Sequence, residues 1–166
     1  MVTLRPGHED EYEGAPPIYA IGCSGLITHS EKLDDGRYNI ILRGLEKFSI
    51  HSEELPAAGR QYRSAVITPI DESVRPTDRD ELRRERKKLQ NLLIPMFQGG
   101  LEGRLPEAMP DEDLVNALAQ YLEFDPMEKL ALLERQGPLA RCRSLVELLE
   151  MKAMMKDQAD DSGLIH

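Results

Sequence analysis

The stretch Ile18 to Asp71, IYAIGCSGLITHSEKLDDGRYNIILRGLEKFSIHSEELPAAGRQYRSAVITPID, decides the fold, and its centre is the turn Leu33-Asp34-Asp35-Gly36-Arg37-Tyr38. An Asp-Gly pair between two β-rich runs predicts a hairpin with a primed turn, because glycine tolerates φ > 0 and that turn matches strand twist. Before the turn, Ile18 to His29 is apolar and β-branched, and Gly22 and Gly25 mark places where the strand bends or another backbone comes close. After it, Tyr38, Ile40 and Leu42 alternate with Arg37, Asn39, Ile41 and Arg43, the period of a half-buried strand. Gly44 is expected to break the run. Leu45 to His51 restarts it with Phe48 and Ile50 on one face, and Gln61 to Ile70 supplies a further strand after the Pro-Ala-Ala-Gly loop. The pattern is a meander of about four strands.

These residues carry a family resemblance. Ile21-Gly22-Cys23-Ser24-Gly25-Leu26-Ile27, Leu33-Asp34-Asp35-Gly36-Arg37-Tyr38-Asn39-Ile40 and Arg43-Gly44-Leu45-Glu46-Lys47-Phe48-Ser49-Ile50 are similar to the N-terminal, substrate-binding domain of Lon-type ATP-dependent proteases. Asp125-Pro126, Lys129, Leu132-Leu133-Glu134 and then Arg141, Leu145 and Leu148-Leu149 resemble the helical half of that domain. The resemblance spans roughly Pro16 to Met155. It implies an α+β fold, a PUA-like β-barrel or meander followed by a C-terminal helical bundle. It also implies a polypeptide-recognition role toward unfolded or degron-bearing segments. The family pattern opens with a Leu-Pro-Leu-Phe-Pro-Leu type segment for which Met1 to Gly7 offers no counterpart. The resemblance thus implies a sheet incomplete at its N-terminus, whose exposed edge invites pairing with a second copy.

At 166 residues, the chain suits one domain or two small ones. A net charge of -9, from 30 acidic against 21 basic residues, argues against a phosphate-tracking surface and so against nucleic acid. Cys23 and Cys142 give no disulfide framework and suit a reducing compartment, which with the absence of a signal-peptide pattern predicts a cytoplasmic protein. No apolar run approaches the roughly 18 residues that span a bilayer.

In chain order, Val2 to Leu4 reads as a short strand. Arg5 to Pro17 is a polar loop, either a solvated connector or a mobile lip over a peptide-binding surface. Composition shifts at Glu72, dividing the chain into a β-rich part (residues 1–72), a helical part (73–156) and a polar, disordered tail (157–166). The helical pattern opens with Thr77 as expected N-cap, and Leu82, Leu89, Leu92, Leu93 and Met96 form one apolar face. Arg83, Arg84, Arg86, Lys87 and Lys88 are a basic run, interleaved with Glu81 and Glu85 as a solvated face would be; its functional reading is a site for an acidic partner or RNA. Pro95 or Gly99-Gly100 ends this helix. Asp111 to Phe124 forms a second, with Leu114, Val115, Leu118, Tyr121 and Leu122 inward. Asp125-Pro126 with Glu128 caps a third in capping-box manner, and Leu139, Cys142, Leu145, Val146, Leu149 and Ala153 stripe a fourth. Met151, Met154 and Met155 are either a frayed helix end or an adaptable binding face.

Catalytic chemistry finds little footing. The chain lacks a G-x-x-x-x-G-K-[ST] phosphate loop. Gly22-Cys23-Ser24-Gly25 lacks G-x-S-x-G spacing, although His29 and His51 belong to the same sheet and are the candidate bases for a cysteine nucleophile. Cys23 reads more simply as a structural thiol. The histidines and cysteines show no metal-ligand spacing. The sequence therefore predicts a non-enzymatic module with no catalytic residues, no cofactor and no metal, and names no polypeptide-binding residue. An RNA-binding PUA-like domain and a small-molecule-binding Lon-like domain are the alternatives.

Overall fold

The computed structural model describes residues 1–8, 10, 15–54, 62–94 and 109–162, the last seven of these by backbone alone. The chain divides into two compact units, Met1–Asp71 and Glu72–His166. Each is described by itself.

The first unit is an antiparallel sheet of β1 (Val2–Leu4), β2 (Ile18–Lys32), β3 (Tyr38–Glu54) and β4 (Ser64–Pro69), in the spatial order β1-β2-β3-β4. The described strands form an open meander, with β1 and β4 at its two ends.

The turn between β2 and β3 forms where the Asp-Gly pair places it, but it is not a primed turn. Gly36 has φ +86°, and no non-glycine residue has positive φ. The Gly36 N–H donates to the Leu33 carbonyl at 3.0 Å and the Leu33 N–H to the Arg37 carbonyl at 2.8 Å. Asp34 and Asp35 thus form an ordinary turn, and Gly36 follows as a left-handed bulge residue, the usual three-residue hairpin. Two aspartates precede the glycine, so the chain has a residue more than the two-residue primed loop needs. The Asp35 carboxylate accepts from the Arg37 backbone N–H at 3.0 Å and its Nε at 2.7 Å, and these bonds, the side-chain one first, hold its pKa below the usual carboxylate range.

Gly44 does not end the strand. β3 runs unbroken for 17 residues because Leu45 enters as an extra residue between the pairs Gly25–Gly44 and Ser24–Glu46. A second extra residue, Thr28, sits between Ile27–Leu42 and His29–Ile41, and a third, His51, between Ile50–Ile67 and Ser52–Val66. Each such bulge exchanges the faces of the residues beyond it. Tyr38, Ile40 and Leu42 consequently share one face with Ile27, while Phe48 and Ile50 lie on the other. Gly22 is the close approach expected of it. A Cβ there would lie 2.6 Å from the Met1 carbonyl oxygen, 2.7 Å from Val2 and 2.8 Å from the Phe48 ring. Phe48 is the sheet unit's one buried large apolar side chain among the described residues.

The second unit opens with a 3₁₀ turn, Pro76–Asp78, followed by α1 (Arg79–Leu93), α2 (Asp111–Tyr121), α3 (Pro126–Glu134) and α4 (Gly137–Ser162). Asp78 rather than Thr77 is the N-cap of α1, and it makes no side-chain cap. Its carboxylate is occupied instead: the Thr77 hydroxyl donates to it at 2.9 Å and Arg75 pairs with it at 2.8 Å, which lowers its pKa. The α3 capping box forms as the residues predict. Asp125 accepts from Met127 N–H at 2.8 Å and Glu128 N–H at 2.9 Å, and Glu128 accepts from Asp125 N–H at 2.9 Å.

Leu82, Leu89, Leu93, Leu114, Val115, Leu132, Cys142 and Leu145 are sealed from solvent in one core. Three expected stripe positions differ. Tyr121 and Ala153 are exposed, and Met96 lies outside the described residues, as do Pro95 and Gly99-Gly100. Tyr121 ends α2, where Leu122 turns extended with ψ 147° and the inward side passes to Leu122 and Phe124. α4 continues to Ser162, past Asp157 where the sequence predicts a disordered tail, with no proline or glycine after Pro138 to stop it.

Candidate functional site

The far end of the β2–β3 hairpin is a two-stranded ribbon whose apolar residues are in water. Leu26 to Lys32 pairs with Tyr38 to Arg43, beyond the reach of β1, which pairs with Ile18 to Gly22, and of β4, which pairs from Phe48 onward. On one face stand Ile27, Tyr38, Ile40 and Leu42, and on the other Leu26 and Ile41 with His29, Asn39 and Arg43. All six apolar side chains are exposed, from 38% for Leu42 to 59% for Tyr38 and Ile41. A two-stranded ribbon gains little stability alone in water, and clustered exposed apolar groups mark interaction surfaces. The alternation in the sequence predicts a half-buried strand here. The structure buries neither face, and the signal was the run Ile40-Ile41-Leu42, which no single face can accommodate.

The candidate nucleophile and bases are held apart. Cys23 is half-buried opposite Lys47, whereas His29 pairs with Ile41 six residues along β2, about 20 Å away at strand rise. His51 is a bulge residue four positions past Lys47 on β3, about 13 Å off by the same measure. Cys142 lies in the helical core, where burial, with Glu85 and Asp111 adding to it, pushes its thiol up to about 12, the state of an inert thiol. Among the described residues, no three His, Cys, Asp or Glu side chains are placed to hold a metal ion, and no helix is long and apolar enough to cross a membrane.

The basic run on α1 is largely tied up within the helical unit. Arg86 donates to Asp111 at 2.5 Å and to the Met109 carbonyl at 2.8 Å, Lys88 pairs with Glu85 at 2.8 Å, and Arg83 approaches Asp80 at 3.6 Å. Arg141, 5% exposed, is the buried hub of that unit. It donates to the Leu132 carbonyl at 3.2 Å, to Asn116 at 2.6 Å and to Glu72, joining α2, α3 and the unit's first residue. Lys152 pairs with Glu128 at 3.0 Å and lies 5.4 Å from the Phe124 ring centre. Of the methionines, Met154 and Met155 are exposed, and Met151 lines a cavity of about 230 Å³ with Leu132, Ser144 and Leu148.

The family model of the ATP-dependent protease La (LON) substrate-binding domain matches residues 1–151. Among solved structures, the N-terminal domain of Mycobacterium avium complex Lon protease is similar in fold, with a TM-score of 0.61 and 17% identity over 81% of this chain and 72% of that one. A Lon N-terminal domain protein from Xanthomonas campestris matches with a TM-score of 0.51 and 18% identity, over 78% of this chain and 68% of the other. No curated protein matches. The four-stranded antiparallel sheet, the four helices and the family match together establish that the chain belongs to the Lon substrate-binding domain family.

Proposed function

We propose that the chain is a non-catalytic polypeptide-recognition module that binds unfolded or degron-bearing protein segments, in the cytoplasm and in the service of protein quality control. Family membership supports substrate recognition, and the exposed apolar ribbon is the observation that carries the choice of polypeptide. A polypeptide without its own core offers the two things such a ribbon lacks, apolar side chains for its faces and backbone groups for its edges. The PUA-like kinship of the sheet belongs to the same reading.

The test is fluorescence anisotropy of the purified chain against a labelled, permanently unfolded protein, with a folded protein and a structured RNA as controls at physiological salt. Saturable binding of the unfolded chain alone is the expected result. Binding of RNA alone overturns the proposal, and so does indifference to all three.

A further inference from the structure

The ribbon has two free edges, and they are not equivalent. That of β2 is interrupted by the Thr28 bulge, whose hydroxyl donates to the Ile41 carbonyl at 3.2 Å, and it closes in Ser30-Glu31-Lys32. Bulges and charges are the devices that blunt a sheet edge. The edge of β3 has neither over Tyr38 to Gly44. Seven consecutive residues keep one register, without proline or acid, and Arg43 is their one charge. The Leu33 N–H bond to the Arg37 carbonyl fixes which groups point away from β2. Peptide groups alternate along an antiparallel strand, so those of Arg37, Asn39, Ile41 and Arg43 face β2 and those of Tyr38, Ile40 and Leu42 face outward. The outward residues are also those whose side chains form the apolar face with Ile27.

We propose that the outer edge of β3, Tyr38 to Gly44, is where an extended segment adds as a further strand, and that Arg43 selects segments with a carboxylate at the position opposite it. This rests on the polypeptide-recognition reading above. Tyr38, Ile40 and Leu42 offer three N–H donors and three carbonyl acceptors. Apolar residues opposite Ile40 and Leu42 cover the first face, and an acid opposite Arg43 on the reverse face meets the edge's one charge. Size favours a segment over a second copy. Seven residues at about 3.3 Å each, across two strands about 10 Å wide, give a face of about 230 Å², against about 800 Å² per partner in a stable protein pair.

The probe is a labelled peptide of alternating valine and threonine with one central glutamate, titrated by anisotropy against the full chain beside the permanently unfolded protein. The glutamate peptide is expected to saturate the chain. Exchanging its glutamate for lysine weakens binding about tenfold, and N-methylation of alternate peptide nitrogens abolishes it. Leu42→Pro deletes an outward donor while sparing the ladder to β2, and lowers affinity about tenfold. Arg43→Glu, which leaves every backbone bond in place, reverses the glutamate-over-lysine preference. If the unfolded protein binds while N-methylation, Leu42→Pro and Arg43→Glu change nothing, the edge proposal is overturned and polypeptide recognition stands. If the unfolded protein fails to bind, both fall. A dimer in sedimentation with Tyr38 to Gly44 protected from hydrogen exchange overturns the proposal in favour of a second copy.

Discussion

The two units of this chain use apolar residues in opposite ways. In the helical unit, leucines at helical spacing disappear into one core, and the exposed faces carry ion pairs. The sheet unit has comparable residues, but beyond Phe48 the ribbon leaves its isoleucines and leucines in water. A helix buries its stripe against neighbouring helices, whereas a strand presents two faces and needs a layer on at least one of them. The difference separates residues that hold the chain together from residues available to something else.

The largest expected effect is at Arg141. Arg141→Leu strands Glu72 and Asn116 and leaves the Leu132 carbonyl without this donor, and loss of one partner from a buried ion pair costs about 3–5 kcal/mol. Urea unfolding combined with residue-resolved hydrogen exchange should show the loss in Glu72–Ser162, with the ribbon's protection unchanged. Next is a matched pair. Leu89→Ala, at a sealed position, should cost about 2–5 kcal/mol. Leu42→Ala, on the ribbon, should stay within about 0.5 kcal/mol yet weaken binding of the unfolded polypeptide. Equal stability losses in the two variants would erase the contrast between the units.

Gly22→Ala tests the tightest point of the sheet unit. The new methyl must displace the Met1 carbonyl, Val2 or the Phe48 ring, and overpacking of this kind costs about 1–3 kcal/mol. Hydrogen exchange should place the loss in β1, β2 and β3. The smallest effect is acid sensitivity of the hairpin turn. The Asp35 pKa is lowered in the folded state by Arg37, so its contribution is present above the ordinary carboxylate range and disappears as pH falls through the lowered value. An NMR titration should show the Gly36 and Arg37 amides shifting below pH 4 in the native chain and not in Asp35→Asn.

Much of the fold is legible in local chemistry. The hairpin follows from Asp35-Gly36, the close approach from Gly22, the α3 start from Asp125-Pro126 with Glu128, and the helical core from leucine spacing. What was not legible needed partners distant in sequence. Thr77 lost its capping role because Asp78 is held by Arg75, and Arg141 is one arginine among many until Asn116, Leu132 and Glu72 surround it. The candidate site was half legible. Tyr38, Ile40 and Leu42 were assigned to one face, but alternation cannot report whether anything covers that face.

The extra residue at Leu45 has a consequence for how this chain tolerates change. A loop absorbs the loss of one residue by shortening, but here the loss would act as a half-turn. Delete Leu45, and a straight β3 could hold Phe48 beside Gly22 only by turning Tyr38, Ile40 and Leu42 to the opposite side of the ribbon and moving every pairing toward the turn by one place. The open edge would then present different backbone groups, although no side chain of the ribbon had been substituted. Length at this one position is therefore as strictly set as identity is at a catalytic residue, and variation in the ribbon should proceed by substitution rather than by gain or loss of single residues.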